Sequence, residues 1–135
     1  DARWRDWIQE LTQWIVDSGA PEQQSAGYWN NISQCCGNVG IGQYWLDLSR
    51  ARLNLRTPDL GTLHQRVVVN TLSRATDDET GLRWKQAENR VSPDNLVAQT
   101  GFMQGAAGVG TFFLQLDAFA RGQKWATAWP HSPWG

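Results

Sequence analysis

Only two cysteines occur in the 135 residues, Cys35 and Cys36, and they are adjacent. A disulfide framework is thereby excluded, because sequence neighbours rarely bridge each other: the ring they would close is strained. Reduced thiols are expected. There is no surplus of either charge either, with 12 Lys and Arg against 13 Asp and Glu and a net charge of −1. Without a block of Lys and Arg, the electrostatic footprint of a nucleic-acid binder is missing. No apolar run approaches the roughly 18 residues that cross a bilayer, and the opening DARWRDWIQEL is too charged and amphipathic for a signal peptide. Neither nucleic acid nor a membrane is expected as a partner, and the expected location is cytoplasmic. The first residue is Asp1 and not Met, which reads as a piece of a longer chain.

What is present describes one ordinary domain, with 41% apolar and 19% charged residues, able to bury a core. Nine tryptophans stand out. Several fall at helical spacing: Trp4, Trp7, Ile8, Leu11, Trp14 and Ile15 share one face, while Arg5, Gln9, Glu10 and Gln13 share the other. This predicts an amphipathic helix lying against a core. A second such helix is predicted in LGTLHQRVVVNTLSRAT, with Leu60, Leu63, Val67, Val68, Leu72 and Ala75 as the buried stripe and Asp59 placed to cap its start.

Two further segments are apolar nearly all round and open with glycines: GNVGIGQYWLDLSRAR and GAAGVGTFFLQLDAFARG. Their length, their lack of alternation and their polar endings at Asp47, Arg50, Asp117 and Arg121 favour buried inner helices, at about 38–53 and 105–121, over strands. The expected order is outer helix, loop, inner helix, outer helix, long loop, inner helix, an all-α chain.

The inner segments also repeat each other. An offset of 68 residues carries Gly37, Gly40 and Gly42 onto Gly105, Gly108 and Gly110. It carries Ile41 onto Val109, Tyr44 and Trp45 onto Phe112 and Phe113, and Leu46 and Leu48 onto Leu114 and Leu116. One helical hairpin has been copied. The GxxGxG string is not a dinucleotide fingerprint, since no strand precedes it, and each glycine taken alone also fits a packing or turn device.

SQCCGNVGIGQYWLDL and TGFMQGAAGVGTFFLQLD resemble the last two repeats of the lanthionine synthetase C-like (LanC-like) cyclases, and the resemblance spans roughly residues 27–121, including GLRWKQAENRVSPDN. It implies an α/α toroid of alternating inner and outer helices, of which residues 1–135 form the C-terminal portion with two hairpin repeats. It also implies a zinc ion at the ring's centre, held by a Cys from one repeat and a Cys-His pair from the next. A minority branch has Cys-Cys-Gly in place of Cys-His-Gly, so Cys35 and Cys36 become two of three protein ligands. The implied activity is addition of a thiol to a dehydroamino acid, forming a lanthionine-type thioether link. The implied partners are the missing N-terminal part of the toroid and a modified peptide or small thiol.

The chemistry is coherent with those residues. Zinc favours thiolates, and a catalytic site keeps a position open in which a substrate thiol loses its proton. Glycines at 37 and 40 would let a substrate approach closely. From spacing alone, however, Cys35 and Cys36 read first as small buried residues at a helix entrance, and it is the resemblance that turns them into ligands. Met103 and Gln104 stand at the equivalent places in the second copy and are poor zinc ligands, so the repeat itself does not require cysteine there.

Among other candidates, His64 lies beside an outer-helix stripe and is given a structural or solvated role, and His131 sits in the tail WPHSPWG. Glu88 and Arg90 lie in the linking loop, where substrate contact is conceivable. No residue matches the family's catalytic acid, base or histidine. A glycosidase-type toroid is disfavoured, because no pair of carboxylates faces one cleft. A non-catalytic scaffold or partner-binding module with inert cysteines is the competing reading. Two hairpins cannot cover helices that are apolar all round, so Trp45, Phe112 or Phe113 is expected to be exposed on the isolated piece.

Overall fold

The computed structural model describes residues 2–23, 31–53, 55–87, 91–92 and 94–124. The elements in chain order are α1 (Ala2–Asp17), α2 (Asn38–Ala51), α3 (Leu60–Ser73), β1 (Thr76–Asp78), β2 (Gly81–Arg83), β3 (Lys85–Ala87), β4 (Leu96–Ala98) and α4 (Ala106–Ala120).

The four strands correct the all-α, toroid-type architecture expected above. The described chain mixes helices with two short antiparallel sheets, β1 with β2 and β3 with β4, and is not a helical-repeat toroid. The segment between α3 and α4 is too polar to show a strand periodicity, so it reads as loop from sequence. Local turn chemistry organises it instead. Asp78 accepts from the Thr80 amide at 2.9 Å and from its hydroxyl, and Gly81 takes a φ of +96°, which closes the hairpin and pairs Asp78 with Gly81. The next residue after β2, Trp84, is buried and donates its indole N–H to the Thr71 carbonyl at 2.8 Å, tying the hairpin to α3.

Helices α2, α3 and α4 meet around Val39, Trp45, Leu48, Leu63, Val67, Val109 and Phe112. Gly42 marks the closest approach, since a Cβ there would sit 2.7 Å from Phe112 Cζ and 2.8 Å from Val67 Cγ1. Asp59 caps α3 as its position implied, accepting from Thr62 N at 2.8 Å. Helix α2 ends at Ala51, two residues before the end expected from the pattern, with Arg52 after it in the left-handed region. Trp45 is 2% and Phe112 0% exposed, and Phe113 is half-buried, so the expected exposure of these rings is also corrected. Adjacent helices cover them.

Helix α1 does not dock by its tryptophans. Its inward side is Ile8, Thr12, Ile15 and Val16, with Thr12 Oγ1 2.8 Å from Tyr44 Oη and Gln9 exchanging two hydrogen bonds with the Arg56 backbone. Trp4, Trp7, Leu11 and Trp14 are exposed, although the sequence pattern places them on the same face as Ile8 and Ile15. The apolar sector of α1 is wider than the one surface it has to cover.

Candidate functional site

Each of α2 and α4 starts from a bulge that folds back on the helix entrance. In the first, the amides of Asn38 and Val39 donate to the Asn31 and Ile32 carbonyls, both at 3.1 Å. In the second, Ala106 and Ala107 donate to Gln99 and Thr100 at 3.0 and 3.3 Å. The N-terminal N–H groups of each helix, usually capped by a side chain, are thus satisfied by incoming backbone. Every one of these partners is related by the 68-residue offset, so the sequence repeat is a structural one at the bulges.

The glycines are explained by this geometry. Gly37 and Gly105 adopt the same extended conformation, with φ −132° and −138°, which any residue can take. Space is the constraint: a Cβ at Gly37 would collide with Asn31 O and Ser33 N, and one at Gly105 with the Gln99 carbonyl and Gly101 N. Gly40 and Gly108 are filled in the same way by the Gln34 and Phe102 carbonyls. The close approach expected of a substrate is made by the chain itself.

The two bulges touch. Cys35 N donates to Met103 O at 2.9 Å, and Gln86 of β3 spans both. Gln86 is 2% exposed; its Oε1 accepts from Ile32 N at 3.3 Å and its Nε2 donates to Gln104 O. The β3–β4 pairing of Gln86 with Val97 fixes where that amide stands. Sequence reading missed Gln86, which offers no signal beyond one polar residue in a polar segment.

On this frame Cys35 and Cys36 project as reduced thiols, and both are exposed. Their neighbours on either side are not: Ile32, Ser33, Gly37, Asn38 and Val39 are buried. The reading of the pair as buried apolar residues is therefore removed. Cys36 N is held by Ser33 Oγ at 3.3 Å. No set of three or more His, Cys, Asp or Glu able to hold a metal occurs among the described residues. A zinc centre needs at least three protein donors, so the described residues offer two thiols and do not complete one.

His64 is not the third donor. It is 7% exposed on α3, its ring edge-on to Phe119 at 6.4 Å between centroids, and burial lowers its pKa from the ordinary 6.5 despite a backbone hydrogen bond at Trp45. His131, Glu88 and Arg90 lie outside the described residues.

A second polar cluster, between α2 and α4, was also missed. Gln43 Nε2 donates to Asp47 Oδ1 at 2.9 Å and to Gln115 Oε1 at 3.1 Å, and Arg50 Nη1 donates to the same Gln115 oxygen at 3.1 Å. Burial raises the Asp47 pKa, against the opposing hydrogen bond from Gln43 and the charge of Arg50. The cluster fixes how the two helices pair, and with them the two bulges at their heads.

No family model matches the chain, and neither a curated protein nor a solved structure does. No helix among the described residues is long and apolar enough to cross a membrane.

Proposed function

We propose that the paired-bulge surface is the working face of this protein, and that Cys35 and Cys36 are two thiolate donors of a zinc-dependent site for adding thiols to dehydroamino acids, as the likeness to LanC-like cyclases implies. One observation carries the reading: two adjacent cysteines are exposed on a turn flanked by the buried residues 31–33 and 37–39. Cysteine is among the most buried residue types, so its exposure here asks for a reason.

The third donor, and any acid or base, would come from outside the described residues, with the rest of a longer protein as the expected source. Zinc bound there would supply a lowered pKa for an incoming thiol. The chain's own part is positional. The Cys35–Met103 backbone bond and the Gln86 bridge hold the thiol-bearing turn, and the buried Gln43–Gln115 pair, joined at its edge by the exposed Arg50, keeps the helices beneath it in register. The substrate would be a dehydroalanine- or dehydrobutyrine-containing peptide, or a small thiol, and a reducing, cytoplasmic setting suits exposed thiols.

The alternative is a scaffold module with inert cysteines, which the shortage of a third donor favours. Thioether formation from a dehydroalanine peptide and a thiol separates the two. Zinc-dependent turnover is expected when residues 1–135 are joined to an N-terminal part that supplies the missing donor, and is expected to vanish in Cys36→Ala. Turnover unchanged by Cys36→Ala would support the scaffold role of this segment.

A further inference from the structure

The outward side of α1 has a pattern of its own. Trp4, Trp7, Leu11 and Trp14 are 62%, 59%, 50% and 62% exposed, and they are spaced three, four and three residues apart. That is the a, d, a, d spacing of a coiled-coil seam, distinct from the Ile8, Thr12, Ile15, Val16 side that packs on the protein's own core. The seam is symmetric about its middle. Turned end for end, it sets Trp4 opposite Trp14 and Trp7 opposite Leu11.

The charges along α1 point to the same arrangement. The helix carries no acidic residue in its first turn and no basic one in its last. Arg3 and Arg5 stand near the start and Asp17 ends it, the reverse of what the helix dipole favours. Arg3, Glu10 and Asp17 recur at seven-residue spacing along one flank of the seam. In an antiparallel pair this flank meets its own copy, so Arg3 of each chain faces Asp17 of the other and lies beside the partner helix's negative end. Glu10 meets its own copy at the two-fold, a local repulsion within an otherwise complementary set.

We infer that α1 is a self-association surface, and that a second copy of this chain packs antiparallel on Trp4, Trp7, Leu11 and Trp14. A helix of 16 residues is about 24 Å long, so the paired seam is smaller than the roughly 1,200–2,000 Å² of a standard stable complex. A micromolar dimer is expected. This surface is separate from the paired-bulge face, and the inference does not depend on the function proposed for that face.

Sedimentation equilibrium of the chain across a concentration series tests it. A monomer–dimer equilibrium is expected, shifted to monomer by Trp7→Glu and by Leu11→Lys, with helix content unchanged because both side chains are exposed. Arg3→Glu alone and Asp17→Arg alone should each weaken the dimer about tenfold, and the two together should restore it. Both swaps improve the charge-to-dipole match within the helix, while Asp17→Arg removes the acceptor of the Gln13 Nε2 bond, so the helix content and melting of each single swap are measured alongside to separate a weaker dimer from a weaker α1. A monomer throughout the series, association indifferent to Trp7→Glu, or a double swap that fails to restore the dimer would each overturn the inference.

Discussion

The amide of Cys35 donates to the carbonyl of Met103 at 2.9 Å, and the two residues hold the same place in the two copies of the helix-entrance bulge. A pair of equivalent positions thus forms the contact between the copies. The thiols are displayed where the repeat meets itself.

Gln86 braces that contact from below, so Gln86→Leu should loosen it. The substitution leaves Ile32 N–H and Gln104 C=O without their partner, at a cost of about 1–3 kcal/mol in stability. Hydrogen exchange at the Cys35 amide should quicken by more than the global loss of stability explains. An exchange rate that tracks global stability alone would show that the bulges hold together without Gln86.

The two copies are unequal, and substitution should reveal it. Gly42 is filled by Phe112 and Val67, whereas its counterpart Gly110 would meet nothing within 4 Å. Leu46 is 0% and its counterpart Leu114 59% exposed. Gly110→Ala is therefore expected to stabilise by up to about 1 kcal/mol, as alanine replaces glycine inside a helix, while Gly42→Ala destabilises. Leu46→Ala should cost about 2–5 kcal/mol and Leu114→Ala only about 0.5 kcal/mol or less. Thermal or urea melts of the four variants settle the order.

His64 makes stability depend on pH. Its folded pKa lies below 6.5, chiefly because burial disfavours the charged ring, so the unfolded state binds the proton more readily. Stability is then full above the unfolded pKa and declines as pH falls from about 6.5 toward the folded value. Asp47 acts in the opposite sense, its raised pKa favouring the fold as pH falls through the carboxylate range. Urea midpoints between pH 7.5 and 5.5 should fall for the parent chain and stay nearly flat for His64→Gln. An equal fall in both would assign the effect elsewhere.

The helices were legible because hydrophobic spacing and glycine punctuation are local signals: α2 and α4 stand within two residues of their expected bounds, and α3 fills most of the stretch in which it was expected. The strands were not, since β1 to β4 are three residues each; β1 and β2 are held by turn chemistry at Asp78 and Gly81 and by the buried indole of Trp84, and β3 pairs with β4 across a polar stretch. The same spacing that revealed α1 misdirected its docking, because a helix wheel cannot distinguish two adjoining apolar faces with different partners. Cys35 and Cys36 could be singled out from sequence. Their exposure could not, because it depends on a backbone frame closed by Gln86, 54 positions along the chain from the Ile32 amide it holds.

Cobalt(II) binding tests the central claim, that Cys35 and Cys36 act together as metal donors, most directly. Thiolate ligation gives cobalt an intense near-ultraviolet charge-transfer band. Titration of the reduced chain should produce that band with weak affinity, gain strength when a small thiol is added to fill an open position, and disappear in Cys35→Ala and in Cys36→Ala while persisting in Met103→Ala. Absence of the band at saturating cobalt, or its survival in Cys36→Ala, would contradict the account.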